Sequence, residues 1–482
     1  MESTNDKDLQ LFYLSSLFGA VNESCRKINN VTYSSGNSPG HRVLSPFQIF
    51  LCKLAQICDT EKGGDTITAL VALKAANGPG YLFASNNRKA ADLDSTRKFL
   101  GDLLDFVGRN PEDLAEKALK KMVLWRILEF NFPRVNYYLK RIVASVVTRL
   151  RLIEANATFP HDMQSNPDAR NKFLSNCETL IRAIHDAIAA GFSVVMNKGA
   201  EADDPDASHA WCELRHHLGR LHSYRQAAHS IVDACKKWPE LFTGFTVACI
   251  PSCRSTRLFL PRPTLPPKDV IQAAFPDRDI QAYEGHFEQL RGYDLDGYIR
   301  ERLEPKSVKR FVHCEVHLQD FLVRGKMVNL HDYWDGNMFI ATSKPPCRLC
   351  RYYFDDSEND FLLQSSHMNV YPKWRLPDVY EGQDGAAVAR REGLLDDIID
   401  QMQQDTLRVV REQHHQWERN DSRTESWVGH SRYGERSDTR HSGRCSSASG
   451  PGGQGMGAEG RDLGFRWSAA VDNDCVAIGS AS

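Results

Sequence analysis

Nowhere does the sequence carry a run of about 18 apolar residues, the length a membrane-spanning helix requires. Its first residues, MESTNDKDLQLFYLSSLFG, lack the basic start and unbroken apolar core of a signal peptide. Neither sign of charge is in excess: 60 Lys and Arg face 62 Asp and Glu, for a formal net charge of -2. That balance excludes a general electrostatic affinity for nucleic acid or membrane and leaves only local sites. No internal repeat is evident. A disulfide framework is missing too, because the 13 cysteines are odd in number, spread over 482 residues, and read as reduced thiols. Only Cys347 and Cys350 are spaced as a close ligand pair, with Cys249 and Cys253 a looser one. The absences together describe a soluble intracellular protein, cytoplasmic or nuclear, that does not engage a membrane.

What is present is enough apolar residue, 41%, to build at least one large core. Residues 1–240 read as a mainly helical N-terminal region, with a surface available to a protein partner. Asn110-Pro111-Glu112-Asp113 has the form of a helix start: an N-cap, a proline at the first helical position, and two acids facing the dipole. Leu114, Ala118, Met122 and Trp125 follow at helical spacing. A second helix is predicted from about Tyr137 to Ile153, and a third carries Phe173, Cys177, Leu180, Ile184 and Ile188 before Gly191. After the acidic loop at 199–208 comes a helix with Trp211, Leu214, Leu218, Leu221, Ala228, Ile231 and Cys235 on one side. His216, His217, His222 and His229 occupy its other side. With no cysteine or carboxylate partner fixed by spacing, they read as a solvated face.

From residue 243 the texture becomes α/β, and a second domain is predicted over 243–416, with its core motifs at 308–378. GFTVACIP and RLFLP are short strand-like runs around a turn, followed by a helix from about Gln281 to Leu303. A last amphipathic helix includes Leu394, Leu395, Ile398, Ile399 and Met402. Residues 417–482, rich in Arg, Ser, Gly and Asp, read as a disordered tail.

The chemistry concentrates in two segments. His313-Cys314-Glu315 is followed by Pro346-Cys347-Arg348-Leu349-Cys350, which together form the ordered H-x-E…P-C-x-x-C pattern of zinc-dependent base deaminases. Val308–Val312 reads as a strand leading to His313 at a helix start; Asn337–Ser343 reads as a strand leading to Cys347 at another. Zinc accepts an imidazole and two thiolates and keeps its fourth corner for water, while a helix N-terminus favours the thiolates. His313, Cys347 and Cys350 are thus candidate Zn²⁺ ligands, with zinc-bound water as nucleophile. Glu315 is the candidate proton shuttle, and Cys314 a small buried residue pointing away from the metal. One alternative uses the same atoms: His317, one turn beyond His313, closes a four-ligand structural site with His313, Cys347 and Cys350. The protein is then a non-catalytic, zinc-stabilised interaction protein.

FVHCEVHLQDFL, FIATSKPPCRLCRYYF and SSHMNVYPKWRLPD resemble consecutive blocks of the OTT-like family of fungal nucleic acid/nucleotide deaminases, a cytidine-deaminase-like group. The resemblance spans about residues 308–378 and implies a three-layer α/β/α fold, zinc held by His313, Cys347 and Cys350, and hydrolytic deamination of a base in a nucleotide or nucleic acid. Two departures concern the pocket: Met368 stands where the family usually has glycine, and Pro346 where serine is commoner. His367, Tyr371 and Trp374 in the third block are candidates for lining the substrate pocket, an aromatic ring stacking on a flipped-out base. The competing reading has Tyr371 and Trp374 packing the sheet. Lys344, Arg348 and Arg351 are candidates for phosphate contact or for an exposed, solvated helix face.

Overall fold

The computed structural model describes residues 2–29, 43–75, 78–150, 166–191, 205–357, 359–379 and 385–414. The predicted tail at 417–482 lies outside them. At the centre is a five-stranded mixed sheet in the order β3-β2-β1-β6-β7. β1 (Thr68–Ala75) and β2 (Gly78–Ser85) form an antiparallel hairpin, and β3 (Thr246–Cys249) runs parallel to β2. On the other side β6 (Phe339–Thr342) is antiparallel to β1, and β7 (Leu362–Leu363) is parallel to β6. β4 (Thr256–Phe259) and β5 (Ser307–Arg310) make a separate two-stranded ribbon, so the strand that leads to His313 is not part of the main sheet.

Side chains alternate across the sheet with period two. Leu70, Ala72, Tyr81, Phe83, Phe339 and Ala341 enter one core; Ala69, Val71, Leu73, Leu82, Ala84 and Ile340 enter the other. Six helices cover the first face: α2 (Pro46–Cys58), α3 (Ala90–Arg109), α4 (Glu116–Phe130), α5 (Phe132–Leu150), α6 (Pro167–Ala189) and α7 (Pro205–Lys237). Covering the second are α1 (Glu2–Asn29), α8 (Pro267–Ala274), α9 (Glu284–Arg291), α10 (Leu295–Leu303), α11 (Cys314–Arg324), α12 (Arg348–Asp356) and α13 (Gly385–Glu412). The result is a three-layer α/β/α architecture with a mainly helical N-terminal part. Each fully buried Leu, Ile or Phe in these layers contributes about 1.5–3 kcal/mol, so both faces of the sheet are strongly held.

Several local expectations are corrected. The first 240 residues contain the hairpin β1–β2, which forms the middle of the sheet. β1 is buried on both faces as far as Leu73, so ALVAL reads as a continuous apolar run without alternation. Gly78 is required at its turn: φ is 137°, and a Cβ there would lie 2.5 Å from Gly244 O. Asn110 does not start a helix. It ends α3 in a left-handed conformation (φ 41°), its side-chain oxygen accepts from Leu114 N at 3.0 Å, and α4 begins at Glu116. Asn serves either end of a helix, and the sequence pattern favoured the wrong one. The helix predicted from Gln281 to Leu303 is broken between α9 and α10, where Asp294 has φ 68°. The histidine face of α7 is not solvated: His216, His217 and His222 are buried, because this helix packs against α2, α4, α5 and α6.

Candidate metal centre

Three strand ends meet at one edge of the sheet. Thr68, the first residue of β1, pairs with Ser85, the last of β2, and Ser343, just past β6, donates its N–H to Thr68 O at 2.9 Å. Beyond Ser343 the chain passes through Lys344, Pro345 and Pro346 to Cys347, the N-cap residue of α12. His313 is the N-cap residue of α11, which lies across β1, β2 and β6. The two helices therefore direct their positive N-terminal ends to the same place, a setting that favours thiolate over thiol.

His313, Cys347 and Cys350 converge there, all buried, with donor atoms within 4.8 Å of one another. His313 Nδ1 lies 3.6 Å from Cys347 Sγ and 3.3 Å from Cys350 Sγ, and the two sulfurs are 3.5 Å apart. A tetrahedral zinc with ordinary bond lengths has N···S edges of about 3.6 Å and S···S edges of about 3.8 Å. One imidazole and two sulfurs at this spacing thus fit a zinc-sized cation. Burial would raise the Cys347 thiol, yet the Cys350 thiol and the His313 ring beside it bring it down to about 6. Burial works against a charged His313, but the neighbouring Cys347 sulfur raises its pKa above the usual imidazole value. Cys350 moves up, through burial and through its contact with Cys347. A bound cation would displace the protons these donors carry.

Glu315 is 4% exposed and sits against this group. Its carboxylate accepts from the Cys314 thiol at 3.3 Å and is within hydrogen-bonding reach of Cys350. Cys314 is buried, as expected from sequence, and in addition contacts the candidate acid/base. His317 stays out of the group. Its Nε2 lies 2.9 Å from Pro251 O and its Nδ1 3.1 Å from Cys253 Sγ, so the ring is held by the segment before β4. A closed site using His317 is not what this geometry forms, and among the described residues Cys249 and Cys253 join no metal group.

Of the other candidates, Tyr371 is half-buried, with its ring centroid 6.2 Å from that of His313, and His367 lies edge-on behind it at 5.8 Å. His367 is buried, and its Nδ1 accepts from Asn369 N at 2.9 Å. Trp374 is 1% exposed, belongs to the core, and pairs through its backbone with Phe311. Arg348 is neither a phosphate contact nor a solvated charge. It is 1% exposed, donates to Met368 O at 3.0 Å, pairs with Asp405 of α13, and lies 4.7 Å over the Phe18 ring of α1. Arg351 is exposed and paired with Asp355 at 2.7 Å. Lys344 is buried, and its charge is felt by both Asp59 and His313.

Metal donors at N-cap positions cannot also cap their helices, and neither His313 nor Cys347 makes a side-chain cap. Other residues provide for the first N–H of each helix. Cys314 N donates to Asn86 Oδ1 at 2.7 Å, and Arg348 N to Asn369 O at 3.0 Å. Sequence reasoning missed Asn86, which follows β2 and is separated from Cys314 by 228 positions. It also missed Asp59, a buried carboxylate that pairs with Arg134 and accepts from Thr66 Oγ1 at 2.7 Å and Ser343 Oγ at 3.4 Å. The only local signal for Asn86 is its place directly after a buried strand.

Residues 312–378 match the OTT_1508-like deaminase family model. The matched segment runs from the residue before His313 to the third sequence block, and so contains the entire candidate metal group. It supports an enzyme acting on C–N bonds, with hydrolytic deamination as the reaction it suggests. No curated protein and no solved structure matches the chain. Among the described residues no helix is long and apolar enough to cross a membrane.

Proposed function

We propose that the protein is a zinc-dependent hydrolase that deaminates a base in a nucleotide or nucleic acid. The observation that carries this reading is the convergence of His313, Cys347 and Cys350 at two helix N-termini, with the buried Glu315 carboxylate against them. His313, Cys347 and Cys350 would hold the zinc, which when bound supplies a Lewis acid that makes water a nucleophile near neutral pH. Water adds to the amino-bearing ring carbon, a C–O bond forms, and the C–N bond breaks to leave a carbonyl and ammonia. Glu315 takes a proton from the water, delivers it to the ring nitrogen, and assists departure of ammonia. The nearness of Tyr371 to His313 supports it as the ring that stacks on the base, with His367 behind it, whereas the burial of Trp374 supports a packing role. A non-catalytic four-ligand site is disfavoured, because His317 is engaged by Pro251 and Cys253.

The test is ammonia release from cytosine and adenine nucleotides, single-stranded DNA and RNA, comparing the wild-type chain with Glu315→Gln. The variant is expected to keep its zinc and lose activity by about 10²- to 10⁴-fold. Equal turnover by both proteins, or a purified wild-type chain that binds no zinc, would sink the reading.

A further inference from the structure

We propose that Asn86 is a positioning residue for the metal centre, which fixes from the β1–β2 hairpin the peptide joining His313 to Cys314. This rests on the zinc reading of the site and adds to it a residue outside the family match, which begins at 312. Asn86 is 2% exposed. Its Oδ1 accepts from Cys314 N at 2.7 Å, its Nδ2 donates to Gly64 O at 2.8 Å, and its own N–H donates to Ile67 O at 3.1 Å. The partners settle which amide atom is which, since Cys314 N can only donate and Gly64 O can only accept.

The physical need is specific. An α-helix leaves its first N–H groups without intrahelical partners, and the N-cap side chain ordinarily satisfies one of them. In α11 that side chain is the imidazole of His313, which faces the two sulfurs. Asn86 supplies the missing acceptor, and the N–H it holds belongs to the same peptide plane as the His313 carbonyl carbon. Rotation of that plane would swing both the His313 ring and, one residue on, the Glu315 carboxylate. Partners that orient metal ligands in this way change metal affinity by about 10- to 100-fold when removed. Asn86 thereby makes the hairpin of the N-terminal half part of the centre through the peptide it holds.

Asn86 has two side-chain bonds, and two variants separate them. Asn86→Ala removes both; Asn86→Asp keeps an acceptor for Cys314 N and loses the donor to Gly64 O. Zinc affinity of the full-length chain, measured by chelator competition, should fall by about tenfold or more in Asn86→Ala and stay within about threefold of wild type in Asn86→Asp. Loss of the Gly64 bond should lower the melting temperature of both variants alike. If Asn86 merely tethers the 59–67 loop, Asn86→Asp will lose zinc as badly as Asn86→Ala, and the proposal falls; it falls also if Asn86→Ala binds zinc normally. Should Asn86→Ala fail to fold, hydrogen exchange at the Cys314 amide in Asn86→Asp decides: protection near the wild-type level supports the cap, and its loss overturns it. A wild-type chain without zinc affinity would defeat the functional reading, while the exchange measurement would still judge Asn86.

Discussion

Two regions of this molecule are rich in residue types that bind metals, and among the described residues only one brings three such side chains together. Around α6 and α7, His185 and His222 stack with Nδ1 3.3 Å from Nε2, while His217 Nδ1 lies 2.6 Å from Glu213 O. These histidines are on helix faces, where neighbours point outward along one axis and meet other helices in pairs. In the α/β layer, His313 and Cys347 are each the residue before a helix, and the two helices aim their ends at one point. Histidine content is therefore a poor guide to a metal site. Convergence of chain segments at helix N-termini, which also stabilise anionic ligands, is the better one.

The sharpest way to break this contrast is a matched pair of substitutions. Cys350→Ser should remove measurable zinc and activity together, whereas His222→Leu should leave the zinc content of the purified protein unchanged and alter only stability. Metal analysis and ammonia release check both, and loss of zinc in His222→Leu would erase the distinction. Next in size is the clamp behind the centre. Arg348→Met removes the buried partner of Asp405, which keeps Tyr352 and Arg408, and loss of such a charged hydrogen bond costs about 1.5–3 kcal/mol. The expected result is a large drop in the denaturant midpoint, and an unchanged midpoint would show the pair to be dispensable.

A smaller effect distinguishes the helical layer by pH. Burial, together with nearby Arg225 and Lys120, lowers the His229 pKa to about 4. The unfolded chain has an ordinary histidine near about 6.5, so as pH falls below that value unfolding takes up a proton that the folded state refuses. The stability that His229 contributes is present above that pH and is lost as pH falls through about 4. Melting temperature should decline over this window, and His229→Gln should flatten the decline. The smallest change is at Met368, whose φ of 58° lies in the left-handed region that favours glycine. Met368→Gly should stabilise the chain by about 1 kcal/mol, read as a rise in melting temperature.

The candidate metal donors were legible because each sits beside a local signal: a strand-like run, then a helix start, then histidine or cysteine at fixed offsets. The residue at 368 was legible too, as a departure whose backbone conformation explains the family's preference. β1 and β2 were missed because strands buried on both faces lose the alternation that identifies them. The histidine side of α7 was misread because amphipathicity was assumed for a helix that has neighbours nearly all round. Asn86, Asp59 and the Arg348–Asp405 pair have no local pattern at all. Their partners lie 228, 284 and 57 positions away, and only the folded chain brings them together.

The order β3-β2-β1-β6-β7 has a consequence for how the protein is made. The hairpin emerges from the ribosome before β6 and cannot pair with it until some 250 further residues, from Ser85 to Phe339, have been synthesised. During that interval one side of β1 is an unpaired edge, a template for wrong partners. Slow maturation of the nascent chain is the expected outcome of that delay, to be checked by the rate at which the newly made protein becomes protease-resistant.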